Sequence, residues 1–388
     1  MRGDPTPTLT YLDHAASSPL RPEVLEAMLP CLKDAYANPS GLHRLARAAR
    51  RRLDVARESL AADLGCAPGE VVLTSGGTES DNLALRGVHA RVGGTVVVSA
   101  VEHHAVLRPA EALGALVAPV GRDGVVDLAA LGGLLGERVR LVSVMLVNSE
   151  VGVVEPVDQV VGLVRARAPG AVVHCDAVQA PLWVDVAAAT AGCDLVSVTA
   201  HKLGGPRGIG ALVVRDRARD VLAPLLDGGS QERGLRPGTE NVAGAVGMAV
   251  ATRAATRERA ELVARVGALR DRLADGLVAL GALEPPGPRG ARVAGNAHVR
   301  FPGVEAEELL LLLDREGVAA SAGSACASGA HEPSHVLTAM GLTPAQAREG
   351  VRFTLGWTSG GADVEHVLEV APALLERLGG VRGSVAPA

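Results

Sequence analysis

Short runs of consecutive apolar residues alternate with segments in which apolar residues recur every three or four positions. The runs are "EVVLTSGGTES" (70–80), "GTVVVSAVEHH" (94–104), "VRLVSVMLVNSE" (139–150), "AVVHCDAVQ" (171–179) and "CDLVSVTAHK" (193–202). A strand that is apolar throughout is buried on both faces. The intervening "DNLALRGVHARV" and "VDQVVGLVRARA" have helical spacing. Strand and helix in alternation predict an α/β fold with a mostly parallel central sheet flanked by helices. "GIGALVVRD" (208–216) offers one more strand. Ligands of such sheets bind beyond the carboxyl ends of the strands, where the polar residues of every run fall.

The texture changes after residue 244. Leu262, Val266, Leu269, Leu273, Leu277 and Leu280 recur at steps of three and four, which predicts a long amphipathic helix leading into a second unit. "GALEPPGPRGARVAG" is a turn-rich link. "AHVRFPG", "VEAEELLLLLDREG" and "ADVEHVLEVAPALLERL" predict a smaller α+β domain.

Composition narrows the classes. The 388 residues are 48 % hydrophobic, enough for a large core and a second domain. No apolar stretch is long enough to span a membrane, and "MRGDPTPTLTYLD" lacks the apolar centre of a signal peptide. The five cysteines are scattered without metal-type spacing, which argues against a disulfide framework or a metal site and fits a reducing cytoplasm. A net charge of −5 gives no reason to expect direct nucleic-acid binding. Arg47, Arg50, Arg51, Arg52 and Arg57 lie on one predicted helix, as a solvated face or as a docking patch for an acidic partner.

The basic residues carry a sharper signal. Of 38 Lys and Arg, only Lys33 and Lys202 are lysines. Arginine keeps its proton in a protein, whereas a lysine amine can lose it and attack a carbonyl. Lys202 stands at a predicted strand end, in "SVTAHKLGGPRGIGAL" (197–212). If it binds the aldehyde of pyridoxal phosphate, the cofactor makes further demands. A buried carboxylate must face the ring nitrogen, and Asp176 is placed to supply it. Strand alternation sets His174 and Asp176 on one face and Cys175 on the other. The phosphate needs backbone N–H groups at a helix start, and Gly76, Gly77 and Thr78 open one. His201 and Thr199 flank the lysine. With aromatic residues at only 2 % of the chain, His103 becomes a candidate stacking platform. Cys326 sits in the small-residue segment "AASAGSACASGAHEPSH" (319–335), either an inert thiol or a reactive one; Cys31, Cys66, Cys175 and Cys193 read as small buried hydrophobes. Arg352, in "VRFTLG", can clamp a carboxylate or form an ion pair.

With those residues in view, the chain resembles the cysteine desulfurases, pyridoxal-phosphate enzymes of fold type I in the class V aminotransferase superfamily. The resemblance runs from "YLDHAASSPL" (11–20) to "VRFTLGW" (351–357). It includes "NPSGLHRLAR", "TSGGTESDN", "VEHHAV", "NSEVGVVEPV", "HCDAVQ", "AHKLGGPRGIGAL", "ERGLRPGTEN" and "SAGSACASGAHEPSHVLTAMGL". The extended segment around Cys326 is similar to the group that serves iron–sulfur assembly and nitrogen fixation. The resemblance implies a large cofactor-binding domain over residues 13–257 and a small domain over 258–388, with residues 1–12 packing against the small one.

It also implies roles. Lys202 would hold the cofactor, Asp176 its ring nitrogen and Gln179 its phenolic oxygen. His103 would stack on the ring and, with Lys202, is a candidate base. Gly77, Thr78, Thr199 and His201 would bind the phosphate, joined by Thr239 from the partner subunit of a homodimer. Cys326 would take the sulfur of L-cysteine as a persulfide for a sulfur-acceptor or scaffold protein. Asn38 and Arg352 would hold the substrate carboxylate. The family usually carries two asparagines where this chain has "NSE", so the residue expected to contact the cofactor is Ser149. Selenocysteine lyase, another class V reaction, or a non-catalytic sulfur-transfer scaffold are the alternatives.

The lysine assignment is testable from the sequence alone. Lys202→Ala and Lys202→Arg should both abolish covalent cofactor attachment and turnover, because the arginine keeps the charge and not the nucleophile. Full activity in Lys202→Arg overturns the assignment.

Overall fold

The computed structural model describes residues 9–323 and 333–379. In chain order its strands are β1 (Thr10–Tyr11), β2 (Val71–Thr74), β3 (Thr95–Ser99), β4 (Leu116–Ala118), β5 (Val139–Ser143), β6 (Val172–Asp176), β7 (Leu195–Thr199), β8 (Gly210–Val214), β9 (Asn296–Arg300), β10 (Val318–Ala319), β11 (Ser321–Ala322) and β12 (Gly350–Thr354). Seven of them form one sheet in the order β2-β8-β7-β6-β5-β3-β4. Strands β3 to β7 pair parallel, as the alternation of strand and helix predicts. β8 is antiparallel to both of its neighbours. Only a helix-free loop separates it from β7, and a parallel neighbour needs a longer crossover.

The apolar runs are buried at every residue of β2, β6, β7 and β8. One face packs Val97, Val142, Val173 and Val196 against Leu53, Leu60, Val160 and Met248 from covering helices. The other packs Val96, Val98, Leu141 and Leu195 against Leu83, Leu85 and Val106. The run at 139–150 ends as a strand at Ser143, yet Val144 and Leu146 still donate to the carbonyls of His174 and Asp176.

The long helix starts earlier than its leucine spacing predicts, at Val242, and runs unbroken to Ala279. Asn241 caps it by accepting from the Gly244 amide at 2.9 Å. Its first half is small and buried on nearly every side, including Ala243, Gly244, Ala245, Gly247, Ala249 and Ala251. A segment buried all round has no apolar stripe to read. Beyond it, β9, β11 and β12 form an antiparallel sheet and β1 pairs parallel with β10. Leu12, Leu262, Leu273, Val318 and Phe353 share one apolar cluster there.

One buried ion pair fixes a strained turn. Glu232 and Arg233 both take left-handed backbone conformations, at φ +46° and +59°, which cost energy outside glycine. Arg57 grips the Glu232 carboxylate at 2.5 and 2.8 Å, and the Leu73 amide donates to it at 2.9 Å. The predicted basic face is therefore divided, with Arg57 turned inward and Arg50 paired to Asp54. Removing one member strands a buried charge, so Arg57→Ala should lower unfolding free energy by about 3–5 kcal/mol. A urea-unfolding midpoint matching the parent would refute this.

Candidate active site

The carboxyl ends of β2, β3, β5, β6 and β7 open on a cavity of ≈ 390 Å³. It is lined by Gly77, Thr78, His103, Ser149, Asp176, Gln179, Thr199, His201, Lys202 and Arg352, so ten of the twelve predicted residues that fall in the described segments meet there. Asn38 and Thr239 do not line it, and both are exposed in this chain. Cys326 lies outside the described residues.

Lys202 follows β7 by three residues and turns its amine to the N-terminal segment. Nζ donates to the Ala15 carbonyl and, at 2.8 Å, to the Ala16 carbonyl. The Gln179 amide donates to the Ala15 carbonyl as well, at 2.8 Å. The Ala15 and Ala16 carbonyls thus close one wall, a role their sequence gave no sign of, because only backbone atoms are used there.

Asp176 ends β6 and is 5 % exposed. Its Oδ1 accepts from the Val178 amide at 2.9 Å. Burial pushes its pKa up, while that amide and Lys202 pull it down. Three further carboxyls line the cavity, Asp81, Glu102 and Glu150, of which Asp81 and Glu102, at 1 % and 0 % exposure, feel the charge of Asp176. Burial and the neighbouring Asp176 raise Asp81 and Glu102 well above the usual carboxylate range. Asp81 Oδ1 has no hydrogen-bond partner among the described residues and lies 3.5 Å from His174 Nε2. The His174 ring is held by Ser143 at 2.8 Å and Ser197 at 3.0 Å, and burial depresses its pKa to about 3. Asp81 stands in plain view in "TSGGTESDN", but only the fold brings it to Asp176.

The helix Gly77–Val92 begins at the cavity wall. Its N-cap, Gly76, supplies no side-chain cap. The Glu79 carboxylate takes the Ser75 amide at 2.7 Å, and Thr74 is spent on Ser80 at 2.8 Å. The amides at this helix start suit an anion. Gly77 has a packing reason as well, because a Cβ there would lie 2.6 Å from Val178 Cγ2. Thr199 donates to the Ile209 carbonyl at 3.3 Å and is 1 % exposed.

His103 is the N-cap of the helix His104–Ala112, with Nδ1 accepting from the Ala105 amide at 3.1 Å. A neutral ring so bonded carries its proton on Nε2. Burial first, then Lys202, lowers the pKa of His103 to about 4. Burial and Lys202 do the same for His201, also to about 4, and its Nδ1 sits 3.4 Å from Ser17 Oγ.

Arg352 is 3 % exposed on β12. It donates to the carbonyls of Ser149 and Gly323 at 3.0 Å each and to Asp13 Oδ1 at 2.8 Å. The ion pair therefore joins the buried Arg352 at the cavity to a partly exposed Asp13, a partner invisible from sequence spacing. Among the described residues, no group of three or more His, Cys, Asp or Glu could hold a metal ion.

The model of the family described as "Aminotransferase class-V" matches residues 10–367. The chain belongs to the class V aminotransferase family. It is 44 % identical over 390 residues to an "IscS-like cysteine desulfurase" of Mycobacterium tuberculosis, covering 95 % of this chain and 97 % of the relative. To "Cysteine desulfurase IscS" of Dictyoglomus turgidum it is 41 % identical, covering 95 % of each. A solved structure described as a NifS-like protein superposes with a TM-score of 0.89 at 33 % identity, over 95 % of this chain and all of that one. A second, "SspA in complex with cysteine", superposes with a TM-score of 0.76 at 31 % identity, over 90 % of this chain and 99 % of that one.

Enzymes of this family work with pyridoxal phosphate, and the cavity suits that group: one lysine amine, a buried carboxyl and an uncapped helix start face the same space. Four carboxyls in one low-dielectric site do not all ionise. Asp81→Asn mimics the protonated acid and should keep cofactor retention at pH 7 within about threefold of the parent, since a neutral isostere replaces a neutral group. Asp176→Asn removes a buried carboxylate from the wall of the cavity that also holds Lys202 and should weaken retention by tenfold or more, by about 1.4 kcal/mol or greater. Dialysis followed by cofactor absorbance measures both, and equal losses in the two variants refute the division of roles.

Proposed function

We propose that this chain is a pyridoxal-phosphate-dependent cysteine desulfurase that converts L-cysteine to L-alanine. The observation that carries this reading is the meeting of Lys202, Asp176 and Arg352 at one cavity, in a chain 44 % identical to an IscS-like cysteine desulfurase. The NifS-like fold and a related protein described in complex with cysteine support the same substrate.

Bound there, pyridoxal phosphate supplies an electron sink for the bonds at the substrate Cα. Lys202 would hold it, Asp176 would face its ring nitrogen, and Gln179 and Ser149 its phenolic oxygen. Gly77, Thr78, Thr199 and His201 would receive its phosphate. Lys202 is favoured over His103 as the base that moves the Cα proton. The Nδ1 lone pair of His103 is spent on the Ala105 amide and the neutral ring holds its proton on Nε2, which leaves the ring as a platform for the cofactor. Arg352 would hold the substrate carboxylate, exchanging part of its bond to Asp13. Cys326 would attack the substrate sulfur as a thiolate. The carbon–sulfur bond breaks, a persulfide forms on Cys326, and alanine leaves; cysteine plus thiol becomes alanine plus persulfide, so atoms and electrons balance.

Residues 13–257 and 258–388 are read as the large and small domains of this enzyme. The homodimer is supported by Leu25, Leu29 and Leu32 on one face of the helix Pro22–Lys33, which with Tyr36 and Leu42 are 39–88 % exposed. Asn38 and Thr239 would then act across the subunit contact. Among the described residues no helix is long and apolar enough to cross a membrane; a cytoplasmic enzyme passing sulfur to an acceptor protein completes the reading.

Cys326→Ser should retain cofactor and bind L-cysteine, yet form neither alanine nor a sulfur adduct on the peptide containing residue 326. Alanine assay and mass spectrometry decide this, and full alanine production sinks the mechanism. Light scattering on the parent should give twice the chain mass; an active monomer would overturn the dimer.

A further inference from the structure

Glu150 lines the same cavity as Arg352 and is not accounted for by the roles above. Its side chain is 2 % exposed, neither carboxyl oxygen makes a hydrogen bond of good geometry among the described residues, and the Ser334 side chain is the polar group within reach of it. His298 Nε2 lies 3.9 Å from Glu150 Oε1, and both nitrogens of that ring are buried without a hydrogen-bond partner among the described residues. His298 is also the cross-strand neighbour of Arg352, β9 against β12. The contact is close on another side. A Cβ at position 323 would fall 2.2 Å from Glu150 Oε1, and Gly323 gives its carbonyl to Arg352 at 3.0 Å. The Ser149 carbonyl, one residue before Glu150, takes the same guanidinium nitrogen at 3.0 Å. A carboxyl is therefore packed into the cradle of the arginine without being bonded to it.

Among the described residues the charged and titratable groups around it are few. Arg352 carries a permanent positive charge, Asp13 already takes one of its nitrogens, and Arg292 acts on His298 from beyond. Burial, with Arg352 and Arg292, holds His298 neutral, with its pKa down to about 3. Burial pushes Glu150 up to about 7, against the opposing pull of Ser334 and Arg352. A second anion beside Arg352 would compete with any carboxylate ligand for the same charge.

We propose that Glu150 is a positioning residue for substrate binding: while it keeps its proton, Arg352 is free to hold the substrate carboxylate, and when it ionises it draws the guanidinium away and weakens that hold. This rests on the reading of Arg352 given above. The sign follows from protonation. The proton is present below the pKa of Glu150 and lost above it, so substrate affinity falls as pH rises through about 7.

Binding of L-alanine to the holoenzyme, measured by calorimetry from pH 6 to 8, tests it. The ratio of parent to Glu150→Gln dissociation constants cancels titration of the ligand itself. It should rise from near 1 at pH 6 to about tenfold at pH 8, one decade per pH unit above the pKa. A ratio independent of pH overturns the proposal. Should Glu150→Gln fail to fold, Glu150→Met removes the same charge with an apolar side chain of similar length, and the same rise is required of it. Arg352→Lys separates the two readings. If it binds L-alanine as tightly as the parent at pH 6, the carboxylate role of Arg352 fails; if it binds weakly while the Glu150 ratio stays flat, only the proposal about Glu150 fails.

Discussion

A single lysine amine and four buried carboxyl groups share one cavity. In water the five would be indifferent to one another; in a low-dielectric site each sets the charge of the next. Burial raises Asp176 to about 6, with the Val178 amide and Lys202 pulling the other way, whereas Asp81 and Glu102 are driven toward the neutral acid by burial and by Asp176 itself. The histidines respond to the same field, with His103 and His201 held neutral beside the lysine. The site is thereby prepared for a cofactor whose ring nitrogen needs one anion, and whose phosphate needs neutral donors and a helix start.

The fold's contribution is convergence. Five strand ends of one sheet deliver residues separated by more than a hundred positions, and the antiparallel β8 lets the chain return beside β2 directly after the lysine loop. The small sheet then brings Arg352 from the far end of the sequence to the same space. Its hold on Ser149, Gly323 and Asp13 ties three distant segments together at the wall where the substrate carboxylate is proposed to sit. Glu150 is packed into that junction with no well-formed hydrogen bond among the described residues, and its protonation is proposed to bear on the substrate site.

Much of this was legible in the sequence. Continuous apolar runs can be buried only between layers, so the α/β sheet and the position of its ligand site followed from patterning. The scarcity of lysine singled out Lys202, and the motifs carried the family with its cofactor. Chemistry tied to a residue type at a strand end survives translation into structure because the strand end itself is the site.

Other features required the tertiary structure. The long helix begins some twenty residues before its leucine spacing, because a segment of small residues buried all round carries no periodic signal. The closing wall at Ala15 and Ala16 acts through carbonyl oxygens, which every residue has and no sequence marks. Asp13, Asp81, Glu102 and Glu150 are ordinary acids in the sequence. Their function depends on how far each is removed from water and which charge it then faces, and only packing decides both.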